Sequence, residues 1–98
     1  MRKISSAGFP LISEKRSRVR LYLDVLRVIS KGVTKPTNIM YKSNLSWSTL
    51  MEILEFLVEE NLVKLEVAGK RKRYRITRKG LDTLRYHRKI EELLVSVS

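Results

Sequence analysis

The sequence predicts a mainly helical α+β domain in which three helices are followed by a β-hairpin and a fourth helix. Three observations carry this expectation. Apolar residues recur at three- and four-residue steps in segments that begin near Ser17, Lys35, Ser46 and Thr77. Between the last two lies a stretch of strict alternation on either side of Ala68-Gly69-Lys70. The punctuation (Lys31-Gly32, Lys35-Pro36, Ser43-Asn44, Asn61) falls where such elements should stop and start. A chain of 98 residues has room for one core, and 43% hydrophobic residues suffice to fill it.

Residues 1–12 are small or polar, with Gly8 and Pro10 and no period, so 1–16 is read as a flexible basic N-terminal arm. In the first helix Val19, Tyr22, Leu23, Leu26 and Ile29 form the apolar stripe, and Lys31-Gly32 ends it. Thr34-Lys35-Pro36 reads as a capping Thr with Pro in the first turn of a short second helix, about Lys35 to Lys42. Ser43-Asn44-Leu45 is a tight turn with Asn suited to a left-handed conformation. Ser46 caps a third helix whose stripe is Leu50, Ile53, Leu54 and Leu57, ended by Asn61. Val63, Leu65 and Val67 alternate with Lys64 and Glu66, and Tyr74 and Ile76 alternate with Arg73, Arg75 and Thr77 on the return. Thr77 caps the last helix, which carries Leu81, Leu84, Ile90, Leu93 and Leu94. The expected organisation is an arm over 1–16, a domain over 17–80 and a C-terminal helical element over 81–98.

Charge narrows the function. Twenty-one Lys and Arg against ten Asp and Glu leave +11, an excess that repels itself unless it meets a polyanion. Nucleic acid is the expected partner, with an anionic membrane surface as the alternative. The excess is segmented: +8 over 1–43, −4 over 44–67, +9 over 68–89 and −2 thereafter. Met1-Arg2-Lys3-Ile4 imitates the basic start of a secretory signal, but Ser5, Ser6, Gly8 and Pro10 break the apolar stretch that would have to follow. No stretch is apolar enough to span a bilayer, so no membrane role and a cytoplasmic, DNA-associated location are expected. With no cysteine there is no disulfide framework, thiolate metal site or cysteine nucleophile. No glycine-rich phosphate loop or Ser/His/Asp set stands out, and the carboxylates cluster on one helix, so no catalysis, metal, cofactor or small-molecule ligand is expected.

A short helix, a three-residue turn and a longer helix, packed on a preceding helix, are the helix-turn-helix arrangement, and a following cationic hairpin makes it winged. In that fold the third helix enters the major groove by its N-terminal turns. Here those turns offer Ser46, Trp47, Ser48 and Thr49. The hairpin offers Lys70, Arg71, Lys72, Arg73 and Arg75 to phosphates or the minor groove. Lys35, Tyr41 and Lys42 complete the candidate DNA-binding set around the second helix. Glu52 is close enough to read a cytosine or to repel a phosphate, and the later glutamates are expected to point away or to pack toward basic neighbours. On the last helix Tyr86, Ile90, Leu93 and Val97 step by four, three and four, a seam suited to homodimerisation. Leu81 and Leu84 are expected to pack back on the domain.

Thr37-Asn38-Ile39-Met40-Tyr41-Lys42-Ser43-Asn44-Leu45-Ser46-Trp47 resembles the corresponding stretch of small archaeal winged-helix proteins, a group of dimeric chromatin proteins and predicted transcription regulators. Tyr74-Arg75-Ile76-Thr77-Arg78-Lys79-Gly80 is similar to the strand-to-helix junction of winged-helix regulators in general. The resemblance implies dimerisation through the last helix, often as a long antiparallel coiled coil. This last helix stops at about Val97, and the basic arm is longer than usual.

Several residues carry two readings. Trp47 reads first as closing the edge of a core, with base stacking as the alternative. Tyr41 is balanced between packing and a phosphate contact. His87 has no catalytic or metal partner and reads as a surface or interface residue. Lys70 to Arg73 reads as a nucleic acid contact rather than a merely solvated turn. Three classes stay open: a dimeric sequence-specific regulator, a non-specific chromatin or architectural protein, and a protein-interaction winged helix.

Overall fold

The computed structural model describes residues 8–97, with side chains from residue 18 to residue 95. In chain order it holds α1 (Gly8–Ser30), α2 (Pro36–Ser43), α3 (Trp47–Glu59), β1 (Val63–Ala68), β2 (Arg71–Ile76) and α4 (Arg78–Val97). The expected class, mainly helical α+β with one two-stranded hairpin, is the observed one. One boundary differs. The first helix begins at Gly8 rather than near Ser17, so it takes in much of the segment read as an arm; residues 1–7 lie outside the described residues.

The core is built where the helical stripes converge. Leu50, Ile53, Leu54 and Leu57 on α3 are at most 1% exposed, and they meet Val25, Leu26 and Ile29 of α1 and Ile39 of α2. Val63 and Tyr74 close the core from the hairpin. Val19, assigned to the buried stripe of α1, is instead 51% exposed, while Val25, absent from that stripe, is fully buried. Among the described side chains, packing of α1 on the core begins at Leu21 and Tyr22, and the Tyr22 ring stacks on Phe56 of α3 with centroids 4.5 Å apart.

Local chemistry sets the corners. Asn44 and Asn61 adopt left-handed backbone (φ 57° and 61°), a conformation Asn tolerates better than other non-glycine residues. Ser46 caps α3: its Oγ accepts from the Thr49 N–H at 3.3 Å, and its O–H donates to Thr49 Oγ1 at 2.9 Å. Thr34 does not cap α2. The N-cap is Lys35, with no side-chain cap, because the Thr34 carbonyl accepts from the Tyr74 N–H at 2.9 Å and the linker runs extended beside β2. This bond joins the hairpin to the helix-turn-helix. Within the hairpin Val63 pairs with Ile76, Leu65 with Tyr74 and Val67 with Lys72 on one face. Lys64 pairs with Arg75, Glu66 with Arg73 and Ala68 with Arg71 on the other. Gly69, at φ 63°, takes the first corner of the two-residue loop.

The junction of hairpin and α4 is locked to the end of α3. Thr77 caps α4 by accepting from the Gly80 N–H at 3.0 Å, and its hydroxyl donates to the Asn61 carbonyl at 2.7 Å. Its own N–H donates to the Leu62 carbonyl at 3.1 Å. Gly80 lies so close beneath Leu62 that a Cβ there would run into that carbonyl oxygen and approach Ile76 Cγ1 to 2.7 Å. The first obstacle is backbone and cannot rotate away. Gly80→Ala is therefore expected to destabilise the domain by about 1–3 kcal/mol, lowering Tm by several degrees in a thermal unfolding series. An unchanged Tm would mean that the α3–α4 corner is not tightly closed.

Candidate nucleic-acid interface

Burial of Leu50, Ile53, Leu54 and Leu57 turns the opposite side of α3 outward. That side carries Ser48 in the first turn, then Glu52, Glu55 and Glu59 at helical spacing, all exposed. The outward face is thus uncharged for one turn and acidic for the rest. Glu52, expected to read a cytosine or to repel a phosphate, is 3.6 Å from the Arg18 guanidinium of α1. The basic neighbour expected for the later glutamates is thus found at Glu52 instead. Trp47 does not close the core. It stands 47% exposed at the first helical position, one turn before the first buried residue. Ser48 is free to meet a ligand, whereas Ser46 and Thr49 spend hydrogen bonds on each other in the cap.

On the hairpin, Lys70 sits in the loop and Arg71 and Lys72 open β2, all exposed. Arg75 is differently placed. Its Nε donates to Glu66 Oε1 at 2.7 Å across the ladder, diagonal to the direct partner of Glu66, Arg73. That hydrogen bond holds the Glu66 carboxyl below its ordinary value. Arg73 is half-buried and makes no carboxylate contact among the described residues. Tyr74 lies in the core, where burial pushes its phenol up.

Lys35, Tyr41 and Lys42 all stand exposed around α2, Tyr41 at 77%. The uncharged first turn of α3, the wing loop and the exposed side of α2 are therefore on accessible surface. Two features were not legible. The Arg75–Glu66 pair depends on a diagonal choice of partner, and Phe56 meets α1 through its stack on Tyr22.

On α4, Leu81 and Leu84 turn inward, Leu84 against the core, while Tyr86, Ile90 and Leu93 are 71%, 54% and 57% exposed. The Val97 side chain lies outside the described residues. His87 and Arg27 converge on Glu91, at 3.4 Å and 4.0 Å, and Arg27 also reaches Asp24 at 3.1 Å, tying α4 to α1. Among the described residues no helix is long and apolar enough to cross a membrane.

Three helices, a left-handed turn before a surface helix and a cationic hairpin define a winged helix-turn-helix protein. The chain matches the winged helix-turn-helix family over residues 15–95 and belongs to it. No protein with a curated description matches it by sequence. Solved structures share the fold. AF1382 from Archaeoglobus fulgidus is 24% identical with a TM-score of 0.64, covering 76% of this chain and 88% of its own. Sso10a-2, a DNA-binding protein from Sulfolobus solfataricus, is 25% identical with a TM-score of 0.61, covering 79% and 83%. The transcriptional regulator Tm0710 from Thermotoga maritima is 18% identical with a TM-score of 0.60, covering 95% and 76%.

The Glu66–Arg75 pair has a direct test. Because the carboxyl is lowered, the pair's contribution is present above the ordinary glutamate range and is lost as pH falls through the lowered value. A carbon-detected NMR titration should place the Glu66 midpoint below ordinary glutamate, and Arg75→Gln should return it upward. A midpoint indifferent to Arg75→Gln would mean that the pair does not form in solution.

Proposed function

We propose that this protein binds double-stranded DNA as a homodimeric transcription regulator and is not an enzyme. The observation that carries the reading is an exposed cationic wing, Lys70, Arg71 and Lys72, in a fold whose third helix, the reading helix, bears hydrogen-bonding groups and no carboxylate on its first outward turn. Ser48 is the leading base-reading group, with Trp47, Ser46 and Thr49 beside it. Lys35, Tyr41, Lys42, Arg73 and Arg75 supply phosphate contacts, Arg75 the weakest because Glu66 already neutralises it. The DNA-binding Sso10a-2 and the regulator Tm0710 share the fold, which supports the assignment. Tyr86, Ile90, Leu93 and Val97 form the dimer seam.

The second reading is a non-specific architectural protein, and the acidic face of α3 favours it. A helix carrying Glu52, Glu55 and Glu59 outward cannot lie full length along a groove lined by phosphates, so base readout is confined to one turn. Affinity then comes mainly from counterion release.

Salt separates these readings. If each protomer neutralises about four phosphates, log K should fall with log salt at a slope of about −3.5, doubling for a dimer. Arg71→Gln with Lys72→Gln should weaken all duplexes alike and flatten the slope by about two units, measured by fluorescence anisotropy. A zero slope, or no binding at low salt, overturns the DNA assignment. In a selection on random duplexes, Ser48→Ala should erode the enriched motif by about 1–3 kcal/mol if the protein is a specific regulator. No enriched motif for the wild type leaves the architectural reading.

The seam is tested separately. Ile90→Asp with Leu93→Asp should yield a monomer in sedimentation equilibrium with its far-ultraviolet spectrum intact, since both side chains are exposed within the protomer. A variant that stays dimeric places the interface elsewhere.

A further inference from the structure

Beside α2 the chain forms a cleft of about 410 Å³. Its polar lining is Thr34 and Lys35 from the α1–α2 linker, Asn38, Tyr41 and Lys42 from α2, and Arg73 from β2. The Tyr74 N–H bond to the Thr34 carbonyl brings these distant segments together, because it lays β2 against the linker and carries Arg73 to the start of α2. Lys35, Asn38 and Lys42 then follow at three- and four-residue steps along one side of the short helix.

The charge of this cleft is unbalanced in a specific way. Among the described residues, three cations line it and no carboxylate does. Glu66 is the direct ladder partner of Arg73 and the natural counterion for it, yet Glu66 is taken by Arg75 at 2.7 Å. Neither Lys35, Lys42 nor Arg73 makes an ion pair among the described residues, although seven arginine–carboxylate pairs form elsewhere among them. Three cations around one concavity give it a positive potential that favours an anion there. The Asn38 amide and the Thr34 and Tyr41 hydroxyls provide neutral donors of the kind a tetrahedral oxyanion uses alongside its cations.

We propose that this cleft is a phosphate-binding site, in which Lys35, Lys42 and Arg73 hold one phosphate group with Asn38 and Tyr41 as further donors. The phosphate belongs either to the DNA backbone, deepening the function proposed above, or to a free phosphorylated compound. Because its ligands come from α2 and from the wing strand, an occupied site would tie the wing to the helix-turn-helix.

The test uses the full chain, labelled with nitrogen-15 and titrated with pyrophosphate at constant ionic strength. Saturable shifts at the Thr34, Lys35, Asn38 and Arg73 amides are expected. Lys35→Gln with Arg73→Gln should weaken that response at least about tenfold, the loss expected on removing two charge-assisted partners. Arg88→Gln with Lys89→Gln, which removes equal charge from α4, should leave it unchanged. Lys42→Gln is a second variant that touches neither the α2 N-cap nor the hairpin. A duplex arm then identifies the source. If a 20-base-pair duplex displaces pyrophosphate and moves the same amides, the phosphate is that of the backbone; if both bind together, it is that of a free compound. Shifts that never saturate, that persist in Lys35→Gln with Arg73→Gln, or that fall equally in the α4 control overturn the site. Failure to bind any duplex would sink the DNA reading alone, because the pyrophosphate arm contains no DNA.

Discussion

Burial of the apolar stripe of α3 is the constraint on which the remaining surfaces depend. Leu50, Ile53, Leu54 and Leu57 are almost wholly removed from water, and each fully buried side chain of this kind contributes on the order of 1.5–3 kcal/mol. Rotating α3 to present another face would expose all four. Ser48, Glu52, Glu55 and Glu59 therefore face outward as a consequence of packing. The acidic character of that face follows from the same rotation, and it confines the neutral hydrogen-bonding surface to the first turn.

The second organising feature is the seam between hairpin and helices. A two-stranded ribbon is marginal by itself. Here Val63 and Tyr74 anchor it in the core, the Thr34 carbonyl extends its ladder, and Thr77 fastens its end to Asn61 and Leu62. The wing loop can then be exposed and highly charged without loosening the fold, because its stability is supplied at the base of the hairpin. The same anchoring carries Arg73 to α2, so one backbone hydrogen bond shapes both the wing and the cationic cleft.

Electrostatics divides the basic residues into paired and unpaired groups. Arg18, Arg27, Arg75, Arg78, Arg85 and Arg88 each have a carboxylate within 4.0 Å, mostly at exposed positions where such pairs contribute little to stability. Their effect is to remove cations from the field a polyanion would meet. Lys35, Lys42, Lys70, Arg71, Lys72 and Arg73 form no such pair among the described residues, and they lie on α2, its linker and the wing. Unpaired cations are not confined to these elements: Arg20 on α1, Lys31 just after it, Lys64 on β1 and Lys79 and Lys89 on α4 also form no ion pair among the described residues.

Sequence periodicity alone determined the order of elements, the turns at Asn44 and Gly69, the caps at Ser46 and Thr77, and the buried stripe of α3. Each is a local property, expressed within one or two turns of chain by side-chain spacing, a hydroxyl within reach of a nearby N–H, or a tolerance for positive φ. Tertiary structure decided what depends on a distant neighbour. Thr34 leaves the capping role that its position suggested because its carbonyl meets Tyr74, forty residues later in sequence. Val19 is exposed while Leu21 packs on the core and Tyr22 reaches Phe56, and Trp47 is exposed because its position precedes the stripe. Glu66 chooses Arg75 over its direct partner, and that choice leaves Arg73 to the cleft. Spacing specifies which face a residue occupies, but the group it meets there is set by the packing of separate elements.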